Sequence, residues 1–115
     1  TYLLLAEAYL RQDMPDKAAD AVNEVRRRAK VSDVSDDEMT MDFLLDERIR
    51  ELYGEESRRF TLIRTGKLLE RVRKYNPEAR DLIQDFHVLW PIPQAIRDAN
   101  VGNFPQNPGY EGYEG

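Results

Sequence analysis

At 115 residues the chain holds one modest domain or part of one, and 41% hydrophobic with 34% charged residues excludes a disordered class. A net charge of −5 argues against nucleic acid, whose phosphates need a net basic face. No cysteine means no disulfide, thiol nucleophile or thiolate metal site, and says nothing of compartment. No stretch approaches the roughly 20 apolar residues of a membrane span.

The chain opens Thr-Tyr-Leu-Leu-Leu-Ala-Glu, without Met or a basic leader, and reads as starting inside a helix. It is taken as the C-terminal piece of a longer protein. Tyr2, Leu5, Ala6, Tyr9 and Leu10 form a helical apolar face. Asp13-Met14-Pro15-Asp16 restarts a helix, with Asp13 able to cap and Pro15 suited to a first turn. Ala18, Ala21, Val22, Val25 and Ala29 then mark the buried stripe of a second helix reaching about Lys30. Tyr2, Leu5, Ala6, Tyr9, Ala18 and Val22 stand in register with one tetratricopeptide unit. Lys30 stands where that repeat would close with Pro. One such unit cannot bury its own faces, so neighbours are expected upstream or folding over from downstream.

After the polar connector 31–37, either Ser35 with Glu38 or Thr40 could cap a helix through Met41, Leu44, Leu45 and Leu52. Residues 46–68 then carry dense paired charge. Leu45, Ile49 and Leu52 share one face, and Glu47, Glu51 and Glu55 recur every four residues among Arg48, Arg50, Arg58, Arg59 and Arg64. The reading is a helix, a sharp turn near Gly54 to Ser57, and a short helix ending at Gly66. The basic clusters Arg26-Arg27-Arg28 and Arg58-Arg59 read as salt-bridged or solvated, since acids lie near both.

Leu68, Leu69, Val72 and Tyr75 extend a further helix that Asn76-Pro77 stops. Residues 77–85 are assigned another short helix. Phe86 to Pro93 reads as an extended apolar run whose prolines exclude a central strand. A turn of helix is expected at 94–99, then a turn-rich close on Gln106-Asn107-Pro108-Gly109-Tyr110. Residues 111–115 are expected to fray. The tail reads as a strap laid over a surface and held by the anchors Trp90, Ile92 and Tyr110.

Three parts of the chain resemble one family. The Glu47, Arg48, Glu51, Leu52, Glu55, Arg58, Phe60, Leu62, Arg64, Gly66 and Lys67 pattern resembles the core signature of the SusD/RagB family. Leu89 to Pro93, Ile96, Asn100 and the closing Gln-Asn-Pro-Gly-Tyr resemble its C-terminal pattern, and 23–29 its second scaffold helix. Departures are Thr61 for the usual Asp, Glu56 for the usual Gly, and Gly54 two residues early where an aromatic is common. The resemblance implies an all-α fold: a tetratricopeptide-like pair (1–30), a charged helix-turn-helix region (40–75) and an irregular proline-rich tail (86–110). It also implies the C-terminal part of a surface-exposed outer-membrane lipoprotein, anchored through its N-terminal part. Such a protein binds oligosaccharide and passes it to a TonB-dependent, SusC-like transporter. The glycan site is expected upstream, so no sugar-binding residue is assigned, although Trp90, Tyr110 and Tyr113 are the aromatic candidates.

The residues themselves favour scaffold over chemistry. Glu47, Glu51 and Glu55 could supply a glycosidase pair, but neighbouring arginines depress a carboxylate pKa, the wrong direction for a general acid. Glu47, Arg48, Glu51, Arg58 and Arg64 are therefore expected to form a structural charge network. His87, the single histidine, has no second ligand at metal spacing, and no Gly-x-Ser-x-Gly elbow or phosphate loop exists. No cofactor or enzymatic role is expected. A soluble tetratricopeptide-type adaptor is the alternative, and a small acid-base hydrolase trails behind it.

Overall fold

The computed structural model describes residues 1–113. It is all-α, as read from the sequence: six α-helices and two short 3-10 turns, with no strand among the described residues. The chain divides into two compact units, Thr1–Glu56 and Ser57–Gly115. Among the described residues no helix is long and apolar enough to cross a membrane.

The first unit is built on α1 (Tyr2–Leu10) folded back on α2 (Pro15–Arg28), followed by α3 (Met41–Glu51). Pro15 opens α2 at a position where the missing N–H costs nothing. Small residues make the close approach possible: Ala6, Ala18, Ala19, Ala21 and Val22 are buried together with Leu3, Val34, Met39 and Leu44. The buried side of α1 differs from the expected one. Leu3, Ala6 and Glu7 face inward, while Tyr2 and Leu5 are exposed. This helix is apolar nearly all round, so its spacing does not single out a face. On α2 the stripe shifts to Ala19 and Asn23, leaving Val25 half-buried and Ala29 exposed. Asp13 does not cap: it adopts a left-handed φ of 57° inside the turn, and Met14 takes the capping position.

Beyond α2, Lys30 also turns left-handed (φ 57°), and the amides of Lys30 and Val31 donate to Arg27 O and Arg26 O, each at 3.0 Å. That is a Schellman close with lysine at the position glycine prefers. The next step uses both capping choices the sequence left open. Ser35 and Glu38 box the 3-10 turn Asp36–Glu38, and Thr40 Oγ1 accepts the Phe43 amide at 3.1 Å to start α3. On α3, Leu44, Leu45, Glu47 and Arg48 are buried, whereas Ile49 is exposed, one step off the buried stripe.

The second unit holds α4 (Arg58–Arg64), α5 (Leu68–Tyr75) and α6 (Gln94–Asp98). The amides of Gly66 and Lys67 close α4 on Ile63 O and Leu62 O, and Gly66 is left-handed as read. The helix expected over 77–85 is replaced by turns. Asn76 Oδ1 accepts the amides of Glu78 and Ala79, a local bond that competes with helix continuation. The extended run starts later than expected, because Asp85–Val88 coils into a 3-10 turn before Leu89.

Candidate functional site

Residues of α2 and α3 assemble the first charge cluster. Glu47 Oε2, buried, accepts from Arg26 Nη1 at 2.8 Å and Arg50 Nη1 at 2.9 Å. Arg28 pairs with Glu51 on the outer side. Arg26 is fixed twice more, by its Nε bond to Ser32 O (2.7 Å) and its guanidinium 5.4 Å from the Phe43 ring centre. Arg27 takes Asp33, which raises the guanidinium's pKa further through a hydrogen bond and charge attraction. The basic triplet of α2 is therefore consumed by acids of its own unit.

Arg48 has a different partner. Its Nε lies 2.8 Å from Glu56 Oε1, Nη2 reaches the same oxygen, and both side chains are under one-tenth exposed. The chain returns Glu56 to the end of α3 because Gly54 turns left-handed (φ 76°) and the amides of Glu55 and Glu56 donate to Leu52 O. Within the first unit Glu47 thus pairs with Arg26 and Arg50, Glu51 with Arg28, and Arg48 with Glu56. Spacing along one helix fixes which charges share a face and supplies Arg50 to Glu47, while Arg26, Arg28 and Glu56 come from outside that helix. Arg58 is half-buried and Arg64 exposed, both on α4 in the second unit.

The second cluster is a clasp on the tail. Gln106, buried, receives the Ile92 amide on Oε1 (2.7 Å) and donates Nε2 to Ile92 O (2.9 Å), so one carboxamide satisfies both backbone groups of a residue. Asn107 Nδ2 donates to Trp90 O at 2.7 Å, and Tyr110 Oη donates to Leu89 O at 2.9 Å. The Tyr110 ring meets Phe86 edge-on at 4.9 Å, and Gly109 lies so close that a Cβ there would enter the Phe86 side chain. Arg97 adds bonds to Phe104 O and Gly112 O, each at 3.1 Å. Gly112 also accepts the Gln106 amide, so the chain stays fastened through residue 112 where fraying was expected. Glu114 and Gly115 lie outside the described residues.

Of the expected anchors, Ile92 is half-buried and held through its backbone, and Tyr110 is held by its hydroxyl and ring. Trp90 is not buried: it is 59% exposed, with the Arg59 guanidinium 4.7 Å from its ring centre. The backbone carbonyl of Trp90 carries the bond. Arg59 and Gln106 were not singled out by periodicity. Gln106 stood only within the Gln-Asn-Pro-Gly-Tyr motif, which names the stretch without its role.

A sequence profile of the SusD family matches residues 1–110. The chain belongs to the SusD family. It is 35% identical over 103 residues to SusD-like protein P25 of Formosa agariphila, a match covering 80% of this chain and 19% of that protein. The chain therefore spans about a fifth of the length of that relative. No solved structure matches. Two departures from the SusD family signature now have a physical account. Glu56, where glycine is usual, is the residue that holds Arg48, and Gly54 makes the turn that delivers it. Thr61, where aspartate is usual, is buried.

Proposed function

We propose that the chain is the C-terminal part of a surface-exposed outer-membrane lipoprotein, anchored through its N-terminal part, that binds oligosaccharide and hands it to a TonB-dependent, SusC-like transporter. Within that protein residues 1–110 serve as scaffold. Residues 1–30 supply a tetratricopeptide-like pair, 40–75 the charged helix-turn-helix region and 86–110 the strap. Glu47, Arg48, Glu51, Arg58 and Arg64 contribute its structural charge, and the work is binding rather than catalysis.

The observation that carries this reading is the family match over 1–110, combined with acids and guanidinium groups that are paired with one another. The test is calorimetric titration of the full-length protein with oligosaccharides, alone and as Glu47→Gln and Glu51→Gln. Affinity is expected to survive both substitutions in folded protein. Affinity lost at an unchanged melting temperature would place the site here and defeat the scaffold assignment.

One observation favours a second reading. An open groove of about 720 Å³ in the first unit is lined by Tyr2, Leu4, Leu5, Ala8, Val25 and Leu52, with Arg28, Arg48 and Glu51 also on its wall. A peptide-binding adaptor would use such a groove. Retention of a helical peptide by the full-length protein, lost on Leu4→Asp, would support it over the transporter role.

A further inference from the structure

We propose that His87 is an acid-released latch on the C-terminal strap. It is the single histidine of the chain and sits in the 3-10 turn Asp85–Val88 that leads into Leu89 and Trp90. Its ring Nδ1 accepts the backbone N–H of Gln84 at 2.8 Å, closing the turn at its start. A ring nitrogen can accept only while it carries no hydrogen of its own. The bond therefore exists with a neutral ring and is abolished in the imidazolium, where both nitrogens donate.

Several elements border the ring. His87 lines a concavity of about 370 Å³ with Arg59, Val72, Asn76, Ala79, Leu82 and Ile83. From α4, Arg59 donates to His87 O and shares that wall as a permanent cation. From α5, Arg73 pairs with Asp85 at 3.3 Å, so the carboxylate nearest in sequence is already engaged. The intervening turn carries exposed Arg80 and Asp81 between the lining residues Ala79 and Leu82. From the strap, the Tyr110 ring lies 6.2 Å from the imidazole centre, and Phe86 lies 4.2 Å away.

Protonation thus removes the closing bond. The effect reaches the strap because the two residues after the turn, Leu89 and Trp90, supply the carbonyls that Tyr110 and Asn107 grip. The latch is closed at neutral pH and opens as pH falls. This is independent of which ligand the full-length protein binds.

The test is amide hydrogen exchange on the full-length protein, corrected for intrinsic rates, at about pH 7.5 and about pH 5.5, on either side of the ordinary histidine range. Peptides covering 84–92 are expected to lose roughly tenfold protection at the lower pH, the scale of one net hydrogen bond. His87→Asn supplies an acceptor that does not titrate, and its protection is expected to be the same at both values. Equal protection of the wild type at both, or an equal loss in His87→Asn, overturns the proposal. If that variant does not fold, ring ¹⁵N shifts of the wild type decide. A hydrogen on Nδ1 at neutral pH overturns the latch, and a hydrogen on Nε2 alone supports it.

Discussion

In the first unit the carboxamide of Asn23 donates to Val34 O at 3.0 Å and accepts the Val34 amide at 2.8 Å. In the second, Gln106 grips Ile92 in the same two-bond ring. The backing differs. Val34 is itself part of an apolar core with Leu3, Val22 and Leu44, so the amide works where water is excluded. Ile92 is half-buried in a unit whose buried apolar side chains, among the described residues, are Leu62 and Leu68. Its large apolar groups, Phe60, Leu82, Trp90 and Ile96 among them, stay exposed. The first unit is packed and then pinned, while the second is held mainly by polar clasps. Polar clasps give direction to a chain but contribute less net free energy than buried area, because water competes for the same groups.

The largest effect expected from breaking this contrast is at Arg48. Arg48→Ala removes the guanidinium held by the nearly buried Glu56 carboxylate and is expected to lower stability by about 3–5 kcal/mol. A denaturation midpoint matching that of an exposed-residue variant would mean the pair is not buried in solution. Asn23→Ala comes next: it strands both backbone groups of buried Val34 and should approach the upper end of about 1–3 kcal/mol, read in the global transition. Gln106→Ala removes an equivalent pair of bonds from half-buried Ile92, where water can substitute. Its cost should sit at the lower end of about 1–3 kcal/mol and show as faster exchange of the Ile92 amide rather than as a global shift. Equal global losses for the two variants would erase the distinction between the units.

Smaller effects sharpen the same picture. Lys30→Gly relieves a left-handed non-glycine residue and should stabilise by up to about 1 kcal/mol in thermal melts. At Glu38 the Ser35 hydroxyl and amide hold the carboxyl below the usual carboxylate range. The sign follows: the box contributes fully at neutral pH, above the unfolded value, and is lost as pH falls through the lowered one. A carboxyl ¹³C titration of Glu38 should move upward in Ser35→Ala, and an unmoved titration would show that the box does not form.

Much of this was legible in the sequence, for identifiable reasons. Pro15 and Gly66 act through backbone constraints that a single residue carries, so each sits where it was placed, and Thr40 caps α3 through its hydroxyl as one of the two choices left open. The helices ending at Tyr75 and Asp98 are bounded by the prolines and polar residues that flagged them. The inward side of α1 was not legible, because Tyr2, Leu3, Leu4 and Leu5 are all apolar and only packing distinguishes Leu3. Ion-pair partners were not legible either. Glu47 had arginines at neighbouring positions on its own helix, yet its buried oxygen also takes Arg26, 21 residues away. The carboxamide clasps leave no periodic trace, since a single Asn or Gln looks the same in a loop as in a keystone.

Two left-handed glycines illustrate how differently the chain will tolerate drift. Around Gly54 there is open space, so its constraint is angular alone, and an asparagine could occupy that corner at modest expense. Gly109 combines a φ of 86° with the Phe86 ring pressed against its α-carbon, and relaxing either condition leaves the other in force. In a library that samples every amino acid at both places, position 54 should return a small palette and position 109 a single letter.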